Sequence, residues 1–178
     1  GYHGFKFNTS KDISLEEDLQ RRDLTINAMA KDEHGSLIDP YDGLSDIKNK
    51  VLRHVSNAFK EDPVRVLRTA KFAARYHQLG FKVAKSTMRF MESMVDNKEI
   101  DELAPDRIWK ETEEVLNSPN AYIYFQVLEK CNAFSKIYPK IAINYDALIL
   151  STQSTNQAEV HFVVMLFADH DLCDPNYI

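Results

Sequence analysis

The sequence predicts an α+β fold, in which a mixed part of short strands and helices is followed by an all-helical part. In the first part, turn signals at 32–35 and at Asp42-Gly43 leave only short stretches between them. From Asp62 onward, apolar residues recur at three- and four-residue spacing between well-separated prolines. We place the change near residues 58–61 and expect three units, at residues 1–58, 59–140 and 141–178.

The first part is predicted to contain two helical stretches and several extended ones. Ser14 to Glu17 fits a capping box, so a helix should begin there and run towards Arg22. The spacing in Leu24 to Ala30 predicts that this stretch continues helically. Ser45 is expected to cap a short helix that ends at Lys50. Extended backbone is predicted at 2–7, 36–39 and 51–55.

The second part is predicted to be helical throughout. Asp62 is the expected N-cap of a helix with Pro63 in its first position, where the missing N–H costs nothing. This helix should run to Leu79, where Gly80 closes it. A polar loop is expected at 151–157. Further helices are predicted at about 85–96, 105–117, 119–131 and 157–169.

Composition places the chain among ordinary globular proteins. Its 178 residues are 44% hydrophobic and 28% charged, and no apolar run approaches the roughly 20 residues of a membrane span. Cys131 and Cys173 show no metal-binding spacing, so we interpret them as free thiols in a reducing cytoplasm. The net charge of −5 argues weakly against nucleic acid, although a local basic stripe can bind phosphates on an acidic protein.

One such stripe lies on the helix that follows Asp62. Arg65, Arg68, Lys71 and Arg75 recur at three- and four-residue spacing and therefore share a face. An acidic residue at the start of the helix could contact a base edge, and the stripe could contact phosphates. The spacing alone leaves a plainer interpretation open, because a charged stripe on an amphipathic helix is often its solvated face. Arg22 and Asp23 could likewise be an ordinary surface pair.

Several separate motifs resemble those of class II, bacterial-type tRNA nucleotidyltransferases, the CCA-adding enzymes. Arg21 to Ala30 resembles their RRDxTINA motif, and Ile38 to Leu44 resembles the IDPYxGxxD connection. Glu61 to Arg68 resembles the EDPxRxLR motif that reads the nucleotide, and Pro105 to Glu111 resembles the helical neck that follows. The resemblance is nearly continuous over residues 1–140. It implies that the chain contains the later part of a nucleotidyltransferase head followed by a helical neck and body.

The resemblance implies template-independent addition of C, C and A to the tRNA 3′ end from CTP and ATP. Cytosine and adenine both present an amino donor beside a ring-nitrogen acceptor. Asp62 would accept from the amino group, and Arg65 would donate to the ring nitrogen. Uracil and guanine reverse both contacts and would be rejected. Four further residues match motif positions near the ribose and phosphates or within the site: Arg22, Arg68, Asp23 and Asn27.

Two matches are less complete. Lys71 stands where the family commonly has an arginine, so it keeps the charge but not the bidentate geometry. The family's chemistry needs paired carboxylates that hold Mg²⁺, whereas the one Asp-x-Asp of the sequence, Asp169-His170-Asp171, lies far downstream. We expect the metal carboxylates to lie outside this chain, through an N-terminal truncation, and the isolated chain to be inactive. Ala168 to Leu172 resembles the start of an HD phosphohydrolase motif, which would be degenerate here.

Alternative functions remain open at this point. A bacterial poly(A) polymerase shares related motifs, and a decayed copy could bind nucleotide or tRNA without chemistry. A metal phosphohydrolase is disfavoured because the sequence offers too few ligands. The helices after residue 85 are candidates for contact with the tRNA acceptor arm. No membrane partner is expected, and the sequence gives no basis for an oligomeric state.

Overall fold

Helices make up most of the computed structural model, which describes residues 13–139, 141–154 and 157–167. The predicted α+β class is confirmed, since a few two-residue strands accompany the helices. The predicted extended stretch at 2–7, the HD-like residues 169–171 and Cys173 lie outside the described residues.

Helix α1 spans Leu15–Gln20 and begins with the predicted capping box. The Glu17 backbone N–H donates to Ser14 Oγ at 3.2 Å, and the Ser14 N–H donates to the Glu17 carboxylate at 2.8 Å. Strands β1 (Ala30–Lys31) and β2 (Leu37–Ile38) then pair in an antiparallel hairpin. Its turn contains Gly35, whose φ of 83° lies in the left-handed region.

The predicted helical continuation from Leu24 to Ala30 is wrong. Only a single 3₁₀ turn forms, at Thr25–Asn27, and Leu24 itself is extended. The Asp23 carboxylate accepts the Leu24 N–H at 2.8 Å, and the Thr25 N–H donates to the Arg53 carbonyl at 2.9 Å. Because these donors are taken by a side chain and by a distant backbone group, they cannot join a helical ladder.

The next helix, α2 (Gly43–Asn49), is capped by Asp39 rather than by the predicted Ser45. The Asp39 carboxylate accepts the N–H groups of Gly43 and Leu44 at 2.7 and 2.9 Å. Ser45 lies inside the helix, so its predicted capping role is wrong. Asp39 lies before the turn, and its two oxygens can reach two free N–H groups at once.

A parallel strand pair joins the first part of the chain to the helical part. Strand β3 (Val51–Leu52) pairs with β4 (Lys82–Val83), and the connection contains a 3₁₀ turn at Asn57–Glu61 and helix α3 (Val64–Arg75). Helix α3 ends at Arg75 rather than at the predicted Leu79. A 3₁₀ turn at His77–Leu79 follows, and Gly80 closes it at φ 85°.

The remaining helices follow the predictions in part. Two of them, α7 and α8, were not predicted, and α8 extends to Ser154 into the predicted polar loop. The 3₁₀ turn Glu99–Glu102 precedes α5. The bounds are α4 Lys85–Asp96, α5 Pro105–Leu116, α6 Ala121–Lys130, α7 Phe134–Ile137, α8 Tyr145–Ser154 and α9 Ala158–Phe167.

Helix α3 lies at the centre of the fold and packs against α5 and α6. Its inward face, which the sequence pattern predicts, is fully or almost fully buried at Val66, Leu67, Ala70, Ala73 and Ala74. The opposite face is therefore held in place by the core and is free to present polar side chains. In the described part of the chain, no helix has the length and apolar character needed to cross a membrane.

Candidate nucleotide-binding site

An open cavity of about 860 Å³ lies over the polar face of α3. It is lined by residues from the 22–27 segment, from α3 and from the start of α5: Arg22, Asp23, Asn27, Asp62, Val64, Arg65, Arg68, Phe72, Asp106, Arg107, Lys110 and Glu111. Six of the seven residues singled out from the sequence line this one cavity. Five basic and four acidic side chains share it, a mixture suited to a ligand with both an anionic part and a polar edge.

Asp23 is the most buried acidic group of the cavity, with 6% of its surface exposed. One oxygen accepts the Leu24 N–H at 2.8 Å and the Asn27 amide at 3.0 Å, and the other accepts Arg68 Nε at 2.7 Å. Burial raises the pKa of Asp23, but the hydrogen bonds from Asn27 and Arg68 and the charge of Arg68 outweigh burial and hold this pKa below its ordinary value. Asp23 is thus an ionised anchor that fixes Arg68.

Arg65 and Arg68 are half-buried and held, so they are not a freely solvated face. The Arg65 guanidinium donates to the backbone carbonyls of Ala58 and Arg21. Burial lowers the pKa of Arg65, whereas the ion pair with Asp23 raises that of Arg68 despite burial. Both side chains are oriented before any ligand arrives, which lowers the entropy lost on binding.

Arg22 lies at the exposed edge of the cavity. It donates to the Asn27 carbonyl at 3.1 Å and pairs with Asp18 at 3.2 Å. The surface pair of Arg22 with Asp23 that the sequence left open does not form, since the carboxylate that pairs with Arg22 is that of Asp18 in α1. Its exposure leaves the guanidinium accessible to a phosphate.

Asp62 also lines the cavity, with 13% of its side chain exposed. Its Oδ1 accepts the Val64 N–H at 3.2 Å, although α3 begins at Val64 with Pro63 as its N-cap, so the prediction of Asp62 as N-cap is wrong by one residue. Its Oδ2 accepts Arg107 Nη2 at 2.9 Å. Asp62 lies just before α3 and Arg65 in its first turn, and both line the same cavity, so a single planar group could reach both.

Lys71 is placed differently from the other predicted residues. It is 7% exposed and does not line the cavity. Its ammonium lies 2.5 Å from Glu111 and 2.7 Å from Glu114, both on α5. The hydrogen bond from Lys71 lowers the pKa of Glu114. In this arrangement Lys71 ties α3 to α5.

The motifs in the first part of the chain support the cavity from behind. Thr25 Oγ1 donates to Asp46 at 2.7 Å, and Asp46 also pairs with Arg53 at 3.0 Å. Gly43 packs so closely that an added Cβ would lie 2.3 Å from the Thr25 carbonyl oxygen. Helix α2 therefore holds the turn that carries Asn27.

The contribution of α5 to the cavity goes beyond the sequence prediction, in which residues 105–111 are only part of a neck. Arg107, Glu111 and Glu114 recur at four- and three-residue spacing, which places them on one helical face. That spacing, with the opposite charges at the matching positions of α3, could have indicated the contact. Lys110 is exposed at the cavity and forms no ion pair within the described residues.

The sequence matches two family profiles. One, described as "Poly A polymerase head domain", covers residues 3–53, and the other, "Probable RNA and SrmB- binding site of polymerase A", covers residues 80–144. The CCA-adding enzyme of Buchnera aphidicola is 54% identical over 145 residues, which are 82% of this chain and 35% of that protein. The multifunctional CCA protein of Acinetobacter baumannii is 55% identical over 141 residues, or 79% of this chain and 34% of that protein.

The chain belongs to the tRNA nucleotidyltransferase family of CCA-adding enzymes. It spans about a third of the length of the curated relatives it matches.

Solved structures agree with this family. A tRNA-processing enzyme with CTP aligns with a TM-score of 0.72 and 30% identity, over 86% of this chain and 47% of the other. The Thermotoga maritima CCA-adding enzyme complexed with tRNA aligns with a TM-score of 0.74 over 88% of this chain and 42% of the other. Because the second structure is only 24% identical, its likeness supports the fold alone.

Proposed function

We propose that this chain supplies the nucleotide-selecting part of template-independent CCA addition to the tRNA 3′ end from CTP and ATP. The observation that carries the proposal is that Asp62, just before α3, and Arg65, in its first turn, line one cavity whose edge is basic. An acceptor beside a donor matches the amino group and ring nitrogen shared by cytosine and adenine. Relatives named for CCA addition support this reaction over poly(A) synthesis.

The proposed reaction joins the tRNA 3′-hydroxyl to the α-phosphate of CTP or ATP and releases pyrophosphate. In it, Asp62 and Arg65 read the base, while Arg22 and Arg68 contact the ribose or the triphosphate. Lys110 adds a further exposed cation at the cavity. Asp23 and Asn27 organise the site by fixing Arg68 and the 3₁₀ turn. Lys71 remains a predicted nucleotide-binding residue, although its contacts favour an indirect action through Glu111.

The division of labour along the chain is part of the proposal. Residues 1–58 would be the end of the head, residues 59–140 the neck that reads nucleotide and contacts RNA, and residues 141–178 the start of the body. The reaction would take place in the cytoplasm, and the RNA contacts would be largely to phosphates and sensitive to salt.

We expect Mg²⁺ to be held by carboxylates other than those of the described residues. Within residues 13–139, 141–154 and 157–167, no group of three or more His, Cys, Asp or Glu side chains is placed to hold a metal ion. The described residues therefore do not fit the metal site of the family, and the proposal gives them only binding and orienting roles. We accordingly expect no incorporation of CMP when the isolated chain is mixed with tRNA, CTP and Mg²⁺, and measurable incorporation would contradict this.

Nucleotide titration of the 178-residue chain tests the selecting role directly. Heteronuclear NMR can follow the backbone signals of Asp62, Arg65 and Arg68 as CTP, ATP, UTP and GTP are added in separate experiments. We expect CTP and ATP to bind at least about tenfold more tightly than UTP and GTP, because the wrong bases place unmatched polar groups at both contacts. Asp62→Ala should remove this preference. Equal affinity for the four nucleotides in the unmodified chain would refute the proposal, and selection of ATP alone would favour a poly(A) polymerase.

A further inference from the structure

The carboxylate of Asp62 is fixed at both of its oxygens. Oδ1 accepts the Val64 N–H within the same turn, while Oδ2 accepts the guanidinium of Arg107, which is 45 residues away in sequence. A side chain held at one oxygen alone could still rotate about its Cβ–Cγ bond, whose barrier is low and broad. The second contact removes that rotation and fixes the plane of the carboxylate.

The position of Arg107 depends on α5 as a whole. Arg107 lies in the first turn, where its backbone N–H donates to the Ala104 carbonyl at 3.0 Å. One turn further along the same helix face, the Glu111 carboxylate lies 2.5 Å from the Lys71 ammonium of α3, and both side chains are 9% exposed. The contact of Arg107 with Asp62 therefore joins α5 to the segment just before α3, and the contact of Glu111 with Lys71 joins α5 to α3 itself. Together they fix the position of Arg107 along α3.

The Arg107 contact leaves room for a base. A carboxylate has about four lone-pair sites, and Val64 and Arg107 use two of them. The remaining sites can accept the amino group of a cytosine or adenine without displacing either partner. The side chain of Arg107 is itself only 29% exposed and lines the same cavity.

We propose that Arg107 is a specificity-determining positioning residue, which fixes the carboxylate of Asp62 so that it accepts from the amino group of the incoming base. This inference rests on the proposed function of the site. If Arg107 has this role, replacing it should reduce the difference in affinity between nucleotides with different bases. The contacts of Arg22 and Arg68 with phosphates should remain. An ion pair that only joined two helices would alter stability and leave the ratio of affinities unchanged.

The test compares CTP and UTP binding to the 178-residue chain for four proteins: the unmodified chain, Arg107→Met, Asp62→Ala and the double variant. Arg89→Met is the matched control, since Arg89 is an exposed arginine of α4 outside the cavity. Arg107→Lys retains a cation and serves as the conservative variant. Circular dichroism and the urea midpoint of each protein check that the fold is kept.

We expect the affinity ratio of CTP to UTP to fall from at least about tenfold to less than about threefold in Arg107→Met, and to be unchanged in Arg89→Met. Arg107→Lys should retain more of the ratio than Arg107→Met. The double variant should resemble Asp62→Ala, because both substitutions remove the same interaction. A folded Arg107→Met that keeps the full ratio, or that binds CTP more tightly because Arg107 competed with the base, would overturn the inference. An unmodified chain with no preference would instead refute the proposed function.

Discussion

Replacing Asp23 with asparagine tests how the polar side of the cavity is held together. The substitution keeps the shape of the side chain and one carbonyl oxygen, which can still accept from Leu24 and Asn27. It places an amide N–H₂ against Arg68 Nε, where two donors meet and no hydrogen bond can form. The Asp23→Asn variant should therefore lose one charge-assisted hydrogen bond and leave the Arg68 guanidinium without its carboxylate.

The expected loss follows from the burial of the two partners. A hydrogen bond to a charged group contributes about 1.5–3 kcal/mol to the free energy of unfolding. The Asp23 side chain is 6% exposed but that of Arg68 is 38% exposed, so water can partly replace the lost carboxylate. We expect Asp23→Asn to lower the free energy of unfolding by about 2 kcal/mol. In a chain of this length, that loss lowers the melting temperature by about 6 °C.

The loss of unfolding free energy in Asp23→Asn should also become smaller at low pH. Because the pKa of Asp23 is lowered in the folded chain, its stabilising contribution is present above the unfolded-state value of about 3.9. That contribution disappears as the pH falls through the lower folded-state pKa. The difference between Asp23→Asn and the unmodified chain should thus be constant between about pH 5 and 7 and shrink below about pH 4.

Urea unfolding followed by circular dichroism at pH 7, 5 and 3.5 measures this difference. Asp18→Asn is the control, since it removes the carboxylate of an exposed ion pair with Arg22 and should change the unfolding free energy little. If Asp23→Asn is as stable as Asp18→Asn at pH 7, the ion pair of Asp23 with Arg68 does not stabilise the fold as proposed. An equal destabilisation at pH 3.5 and at pH 7 would show that the ionisation of Asp23 plays no part.

Two further substitutions probe the supports of the site. Lys71→Met should lower the free energy of unfolding by about 3 kcal/mol, because the substitution leaves Glu111 buried without its cation. Urea unfolding measures this loss. An unchanged urea midpoint would show that Glu111 does not need Lys71. Gly43→Ala should lower the free energy of unfolding by about 2 kcal/mol and weaken CTP binding, since the added methyl group would lie 2.3 Å from the Thr25 carbonyl oxygen. Calorimetry measures the first effect and nucleotide titration the second. If neither changes, α2 can move to accommodate the methyl group.

Local signals in the sequence predicted the elements whose stabilising contacts are themselves local. Ser14 and Glu17 bond within one turn, and α4 forms at 85–96 as its apolar spacing predicts. The faces of α3 were also predicted, because residues such as Leu67 and Ala70 share one side of any helix with this sequence.

Elements that depend on distant partners were predicted poorly. The stretch from Leu24 has helical spacing, but the extended Leu24 pairs with His54, a residue that spacing within 24–30 cannot reveal. Asp39 replaced Ser45 as the cap of α2 because the turn brings it back to the helix start. The strand β4 is two residues long and pairs across 30 positions, so no local pattern marks it.

In the candidate site, too, features that depend on local sequence could be predicted better than those that depend on distant partners. The motif positions Asp62, Arg65 and Arg68 could be named from the sequence, since they lie within one short motif, Glu61 to Arg68. The spacing of Arg107, Glu111 and Glu114 could have indicated a shared face of α5, but the partner of Arg107 and the burial of Lys71 depend on how α5 packs against α3. The roles of these residues with nucleotide remain predictions until the titrations are made.

The pairing of β3 with β4 has a consequence for synthesis of the chain. Leu52 aligns with Val83, and the backbone N–H of the nearby His54 donates to the Thr87 hydroxyl at 3.0 Å. A nascent chain that has emerged only to the end of α3 therefore still exposes the unpaired edge of β3. The ribosome must release at least some thirty residues more than the strand itself before this edge closes, so the first part of the chain matures only after the helical part has begun to form.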